Sequence, residues 1–154
     1  MNPFRRRLAL WSAALHGVWE YAQCPPFYDM SDTGPAEHHT LMASAVLGDV
    51  AINLGVTAAA ERLAGQDAVR QLTPRGTAAL LGVGFVAAVG LEWGAQRLGL
   101  WRYTDRMPTV RVAGHDVGLL PIAQVTVLPA LAAWLAKTPI QDADAELVRD
   151  AAQT

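Results

Sequence analysis

Residues 41–60 read LMASAVLGDVAINLGVTAAA, twenty positions of which Asp49 alone is charged. A helix that crosses a bilayer takes about 20 mostly apolar residues, with a range of roughly 17–25. Three more windows of this kind lie around it, at 8–24, 77–96 and 117–136. The pattern predicts an all-α, polytopic membrane protein: a four-transmembrane-helix bundle within residues 1–138, then a short solvated tail at 139–154. Pro25 and Pro26 are expected to close the first helix. Pro121 and Pro129 are expected to kink the fourth, which membrane helices tolerate where neighbours satisfy the freed carbonyls.

The composition agrees. The chain has 154 residues, enough for one domain, with 52% apolar and 17% charged residues, against roughly 25% charged in a soluble domain. Mean hydropathy is only +0.19, because charged loops dilute the apolar blocks. A net charge of -2 excludes a strongly basic nucleic-acid binder. Cys24 is the only cysteine, which excludes an intramolecular disulfide and a cysteine metal cluster. No small-residue cleavage site follows the first block, so it reads as a retained helix.

Basic residues set the expected orientation. Arg5, Arg6, Arg7, Arg62, Arg70, Arg75, Lys137 and Arg149 fall on one side, and Arg97, Arg102, Arg106 and Arg111 on the other. Eight against four puts both termini in the cytoplasm. The Ala, Gly and Arg content suits a GC-rich bacterium, and hence a bacterial inner membrane.

Ionisable groups inside a bilayer cost at least about 2.5–3.5 kcal/mol each, so they face the bundle interior and usually have a task. The first window offers His16, Glu20 and Gln23, the second Asp49 and Asn53, the third Glu92 and Gln96, and the fourth Gln124. Spacings of three and four residues put each set on one helical face. Glu20, Asp49, Glu92 and Gln124 lie four to eight residues below the outer ends of their windows, on the order of 6–12 Å deep. Four helices thus bring polar groups to one layer. The windows contain no Lys or Arg, and His16, one turn from Glu20, is their only base.

Polar side chains also hold membrane helices together, at about 0.6–2 kcal/mol per hydrogen bond. Gln23, Asn53, Gln96 and Gln124 fit that role as well as a ligand-binding one. Three carboxylates with one histidine suit acid–base chemistry better. Trp19 and Trp93 flank Glu20 and Glu92, where their rings could stabilise a cation. Trp101 and Tyr103 open the third loop as substrate contacts or headgroup anchors. Gly90 and Gly94 form a small-residue pair suited to close helix packing. No Glu-x-x-His pair occurs, and there is no nucleotide-binding fingerprint, so neither a metal nor a cofactor is expected.

Glu92-Trp93-Gly94, then Leu98-Gly99-Leu100-Trp101-Arg102-Tyr103-Thr104-Asp105, Gly114 and Leu120-Pro121-Ile122-Ala123-Gln124, resemble the hairpin of membrane carotenoid enzymes, the lycopene cyclase domain and the carotenoid hydratases. There a membrane Glu precedes a Gly-aromatic turn and a helix opening with Gly and Pro. The cyclase pattern has two acidic residues where this chain has Ala123 and Gln124, so the resemblance implies an acid from Glu92, Asp49 or Glu20. His16-Gly17-Val18-Trp19-Glu20 is similar to the His-x-x-x-Glu of emopamil-binding sterol isomerases. Both resemblances imply a lipophilic isoprenoid-like substrate and carbocation chemistry: cyclisation, isomerisation or hydration.

The expected function is therefore an intramembrane acid–base enzyme. Asp49 or Glu92 would donate a proton and Glu20, oriented by His16, would accept one. Gln96, Asn53 and Gln124 would hold these groups or a substrate hydroxyl. The alternative is a non-enzymatic small transporter, lipid- or ion-binding subunit, or assembly factor, in which a homo-oligomer supplies the pathway that four helices cannot.

Overall fold

Three of the long helices begin on proline, whose fixed φ suits the first helical position and whose missing N–H would be unbonded there anyway. The computed structural model describes residues 2–31 and 33–137; the expected tail at 139–154 lies outside them. Helix α1 spans Pro3–Phe27 and α2 spans Pro35–Ala64. A short α3, Gln66–Arg70, leads into α4, Pro74–Leu98. Strands β1, Thr109–Val112, and β2, His115–Gly118, precede α5, Leu119–Lys137. Asn2 Oδ1 caps α1 by accepting from Arg5 N at 2.9 Å, and Thr73 Oγ1 caps α4 by accepting from Gly76 N at 3.3 Å. The chain is mostly helical, and α2, α4 and α5 are long and apolar enough to cross a membrane. Helix α1 has 25 residues, but its arginine triplet and polar stripe make it less apolar.

Helix α1 packs on α2 and α5, and α4 packs on the same two from the other flank. One apolar cluster, including Leu8, Ala60, Leu80 and Ala132, fills the end that holds the N-terminus. A second, of Ala88, Val117, Ile122 and Val125, lies toward the hairpin. Between them α4 meets α5 at Gly84, where a Cβ would come within 2.6 Å of the Val125 carbonyl oxygen. The close-packing glycines of α4 are thus Gly84 and Gly76, which abuts Ala68. Among the described residues, nothing lies within 4 Å of a Cβ at Gly90 or Gly94, the pair expected to pack.

Two boundaries near the site differ from the sequence reading. Helix α1 does not stop at Pro25 but carries Pro25 and Pro26 in its last turn. Its end is tied off by Tyr28 N donating to Cys24 O (3.0 Å), Thr104 N to Phe27 O (3.0 Å) and Thr104 Oγ1 to Pro26 O (2.8 Å). Helix α5 starts at Leu119 and not at 117, because residues 115–118 pair with 109–112 as an antiparallel hairpin. Pro121 therefore falls in the first turn, where no N–H is missed, and Pro129 is the proline inside α5. The hairpin turns at Ala113 (φ 46°) and Gly114 (φ 88°), two consecutive left-handed residues of the kind tight hairpins need.

Candidate functional site

Four-residue spacing places Ser12, His16, Glu20 and Cys24 in one buried line along α1. Across from it, α2 carries Asp49, Asn53, Thr57 and Glu61 at the same interval. Where the two lines meet α5, the side-chain amide of Gln124 is the centre of a buried network. Its Nε2 lies 2.7 Å from Glu20 Oε1, 2.9 Å from Asp49 Oδ2 and 3.0 Å from His16 Nδ1. Its Oε1 accepts from Gln23 Nε2 at 3.0 Å, and Gln23 Oε1 accepts from Trp19 Nε1 at 2.6 Å. Cys24 Sγ donates to the other oxygen of Glu20 at 3.2 Å.

An amide nitrogen has two hydrogens, yet three potential acceptors surround this one. The count closes when Gln124 gives its hydrogens to Glu20 and Asp49 and His16 Nδ1 carries its own. That Nδ1–H then donates to Asp49 Oδ2, 3.2 Å away. Every donor in the network points at Glu20 or Asp49, directly or through an amide. His16 was expected to orient Glu20. Its partner is instead Asp49 on α2, because i, i+4 spacing fixes a shared face but leaves the ring free to turn across the helix interface.

Glu92 is held separately. Its Oε1 accepts from Trp101 Nε1 at 3.1 Å and from the Tyr103 hydroxyl, which itself accepts from Gly118 N at 3.0 Å. Tyr28 stacks edge-on to Trp101 and Tyr103, with ring centroids 6.3 Å and 5.6 Å apart. Residue 28 lies just beyond α1. Burial, with the Glu92 carboxylate near, pushes its phenol well above the usual tyrosine range. Asp29 beside it is exposed, and hydrogen bonds from Ser31 hold its carboxyl below the usual range.

A cavity of about 470 Å³ joins these two groups. Its wall includes Glu20, Asp49 and Glu92 from three helices, with Gln23, Gln124 and Trp101. The rest is largely apolar, including Met42, Ile52, Leu91 and Val125. This is the make-up of small-molecule sites, apolar walls with a few converging polar groups. The other residues singled out in the sequence stand outside the wall. His16 lies behind Asp49 and Gln124, Trp19 supports Gln23, and Tyr103 supports Glu92. Asn53 donates to Ser12 Oγ at 2.9 Å. Trp93 packs against the His115 ring, 5.6 Å away, with the Arg97 guanidinium 5.3 Å from its own. Gln96 Nε2 is buried with no hydrogen-bond partner among the described residues.

Cys24 and Tyr28 line the cavity and were not singled out, although both continue the Ser12–His16–Glu20 interval. Glu61 was missed too, since it falls one residue past the second apolar window. It is buried and accepts from Arg5 Nη2 at 2.6 Å and Arg70 Nε at 3.1 Å. Comparison with protein-family models, curated proteins and solved structures finds no match to this chain.

Proposed function

We propose that this chain is an integral membrane enzyme of four spanning helices, with an acid–base site for an isoprenoid-like lipid. The observation that carries the reading is one largely apolar cavity with the carboxyl groups of Glu20, Asp49 and Glu92 together in its wall. Lipid-facing side chains such as Leu47, Val18, Val86 and Trp134 are exposed on the outside of the bundle, as a bilayer requires. Arg5, Arg6, Arg7, Arg62, Arg70, Arg75 and Lys137 gather at the Glu61 end, which supports both termini lying on the cytoplasmic side, in a bacterial inner membrane.

In this reading the Glu92 carboxyl donates its proton to a substrate double bond, leaving a carbocation in the apolar cavity. Trp101 and Tyr103 then stabilise the carboxylate left behind with two hydrogen bonds. Glu20, positioned by Gln124 and Cys24, removes a proton from a neighbouring carbon, which completes an isomerisation or cyclisation with no net gain or loss. Water adding to the cation and losing its proton to Glu20 gives hydration instead. Asp49, paired with His16, sets the charge around Glu20. The resemblance to carotenoid enzymes and sterol isomerases supports the substrate class.

The test is to purify the protein with its native lipids, incubate it with an isoprenoid lipid extract, and follow the products by mass spectrometry. Wild type is expected to alter at least one lipid, and Glu92→Gln and Glu20→Gln to alter none. Lipid recovered bound but unchanged would replace the enzyme with a carrier or lipid-binding subunit.

A further inference from the structure

The cavity lies at one end of a polar seam that runs on well past the groups the reaction above uses. Below Glu20 and Asp49, α1 contributes His16 and Ser12, and α2 contributes Asn53, Thr57 and Glu61. All five are more than nine-tenths buried. From Asp49 to Glu61 the rise is ~18 Å, more than half of a hydrocarbon core of about 30 Å. The facing α4–α5 contact is different in kind, built on Gly84, Ala88, Val125 and Ala132.

A seam that only fastened two helices would close its hydrogen bonds on itself. This one stays partly open. Asn53 Nδ2 donates to Ser12 Oγ at 2.9 Å, but Thr57 Oγ1 reaches Asn53 Oδ1 only at 3.5 Å. His16, 1% exposed, leaves Nε2 without a partner among the described residues. A ring nitrogen left open at that depth points to a small polar ligand, and hydroxyl, imidazole and carboxyl groups in file are what protons travel through in membrane proteins.

We propose that the α1–α2 seam is a proton-transfer path between the cavity carboxylates and Glu61. A proton taken up at His16 Nε2 releases one from Nδ1 to Asp49 Oδ2, so only N–H and O–H bonds form and break and the charge moves with the proton. Ser12 and Thr57 pass protons by hydroxyl rotation, and Asn53 orients them. Asp49 faces His16 and Glu20 of α1 and Gln124 of α5, with Glu92 of α4 on the same cavity. Glu61 faces Arg5 of α1 and Arg70 of α3, whose side chains are 35% and 29% exposed. They can swing into solvent and open that end. The path rests on the spanning arrangement and not on the lipid chemistry.

The test uses the full chain in phosphatidylcholine–phosphatidylglycerol vesicles that enclose a pH-sensitive dye, with a potassium diffusion potential drawing protons inward. Wild type is expected to acidify vesicles about tenfold faster than empty ones, Thr57→Val to fall back to the empty rate, and Thr57→Ser to conduct like wild type. Thermal melting of all three checks that the fold is intact. Wild type no faster than empty vesicles, a conducting Thr57→Val, or a silent Thr57→Ser overturns the path. Protein that fails to float with the vesicles sinks the spanning arrangement instead.

Discussion

Gln124 Nε2 stands 2.7 Å from Glu20 Oε1, so a neutral amide from α5 closes a site whose carboxyl groups come from α1 and α2. The same nitrogen reaches Asp49 Oδ2 at 2.9 Å, and it thereby bridges the two carboxyl groups. Gln124→Ala removes donors from both carboxyl groups at a position that is 2% exposed. A hydrogen bond contributes about 0.5–1.5 kcal/mol, and an acceptor left buried without its donor costs about 1–3 kcal/mol. A loss of about 3 kcal/mol is expected, read from unfolding in mild detergent. Gln124→Glu should also destabilise, because it replaces the donor with a third acidic group. A Gln124→Ala protein as stable as wild type would mean that the network contributes nothing.

Glu61 should behave asymmetrically with its partners. Its carboxylate is buried, while Arg5 and Arg70 are about one-third exposed on their side chains. Removing one guanidinium leaves a buried charge with one partner still in place. Removing both leaves it with none, which costs about 3–5 kcal/mol in buried pairs. Arg5→Ala is expected to cost about 1 kcal/mol, the scale of a partly exposed pair. The Arg5→Ala/Arg70→Ala double variant should lose more than the sum of the singles. Additive losses in a thermal melt would show that water already serves Glu61.

The Asp29 carboxyl offers a pH prediction outside the spanning segments. Hydrogen bonds from Ser31 N and Oγ, 3.2 and 2.7 Å away, stabilise its charged form. A carboxyl lowered in the folded state adds stability above its unfolded pKa, and loses it as pH falls through the folded one. Carbon-13 NMR should find Asp29 titrating below an ordinary aspartate, and Ser31→Ala should move it back up. An Asp29 that titrates identically in both proteins would assign the lowering to some other group.

Periodicity made the helices legible, because each apolar window is long and each polar set keeps a helical interval. What it could not give is which neighbour a polar face meets. His16 and Glu20 share a face of α1, yet the imidazole bonds across to Asp49. The hairpin was illegible for a different reason. Four-residue strands such as Thr109–Val112 are too short for alternation to register, and one of its two turn residues is an alanine. Tyr28 was hidden behind Pro25 and Pro26, which read as a helix end although the stripe runs on through them.

That alanine gives a prediction of the opposite sign. Ala113 holds φ 46° at the first turn position of the β1–β2 hairpin, where a Cβ crowds the following carbonyl at a cost of roughly 1–2 kcal/mol. Asparagine tolerates this conformation better, and Asn-Gly is the favoured pair in such turns. Ala113→Asn should raise stability by about 0.5–1 kcal/mol, and Ala113→Val should lower it. An unchanged melting temperature in both would show that the turn is not strained in the membrane-bound protein.

Tyr103 joins the hairpin to the cavity, since its hydroxyl donates to Glu92 and accepts from Gly118 N at 3.0 Å. Tyr103→Phe keeps the ring against Tyr28 but strips a donor from Glu92 and leaves the buried Gly118 N–H unpaired. Leaving one such group unsatisfied costs about 1–3 kcal/mol, so a loss near 3 kcal/mol is expected for the two together. Trp101 makes only one of these bonds, and at 37% exposure its loss is more readily replaced by water. Trp101→Phe should therefore cost about 1 kcal/mol, measured in the same detergent unfolding series. A Trp101 variant more damaging than the Tyr103 variant would shift the support of Glu92 from the hydroxyl to the indole.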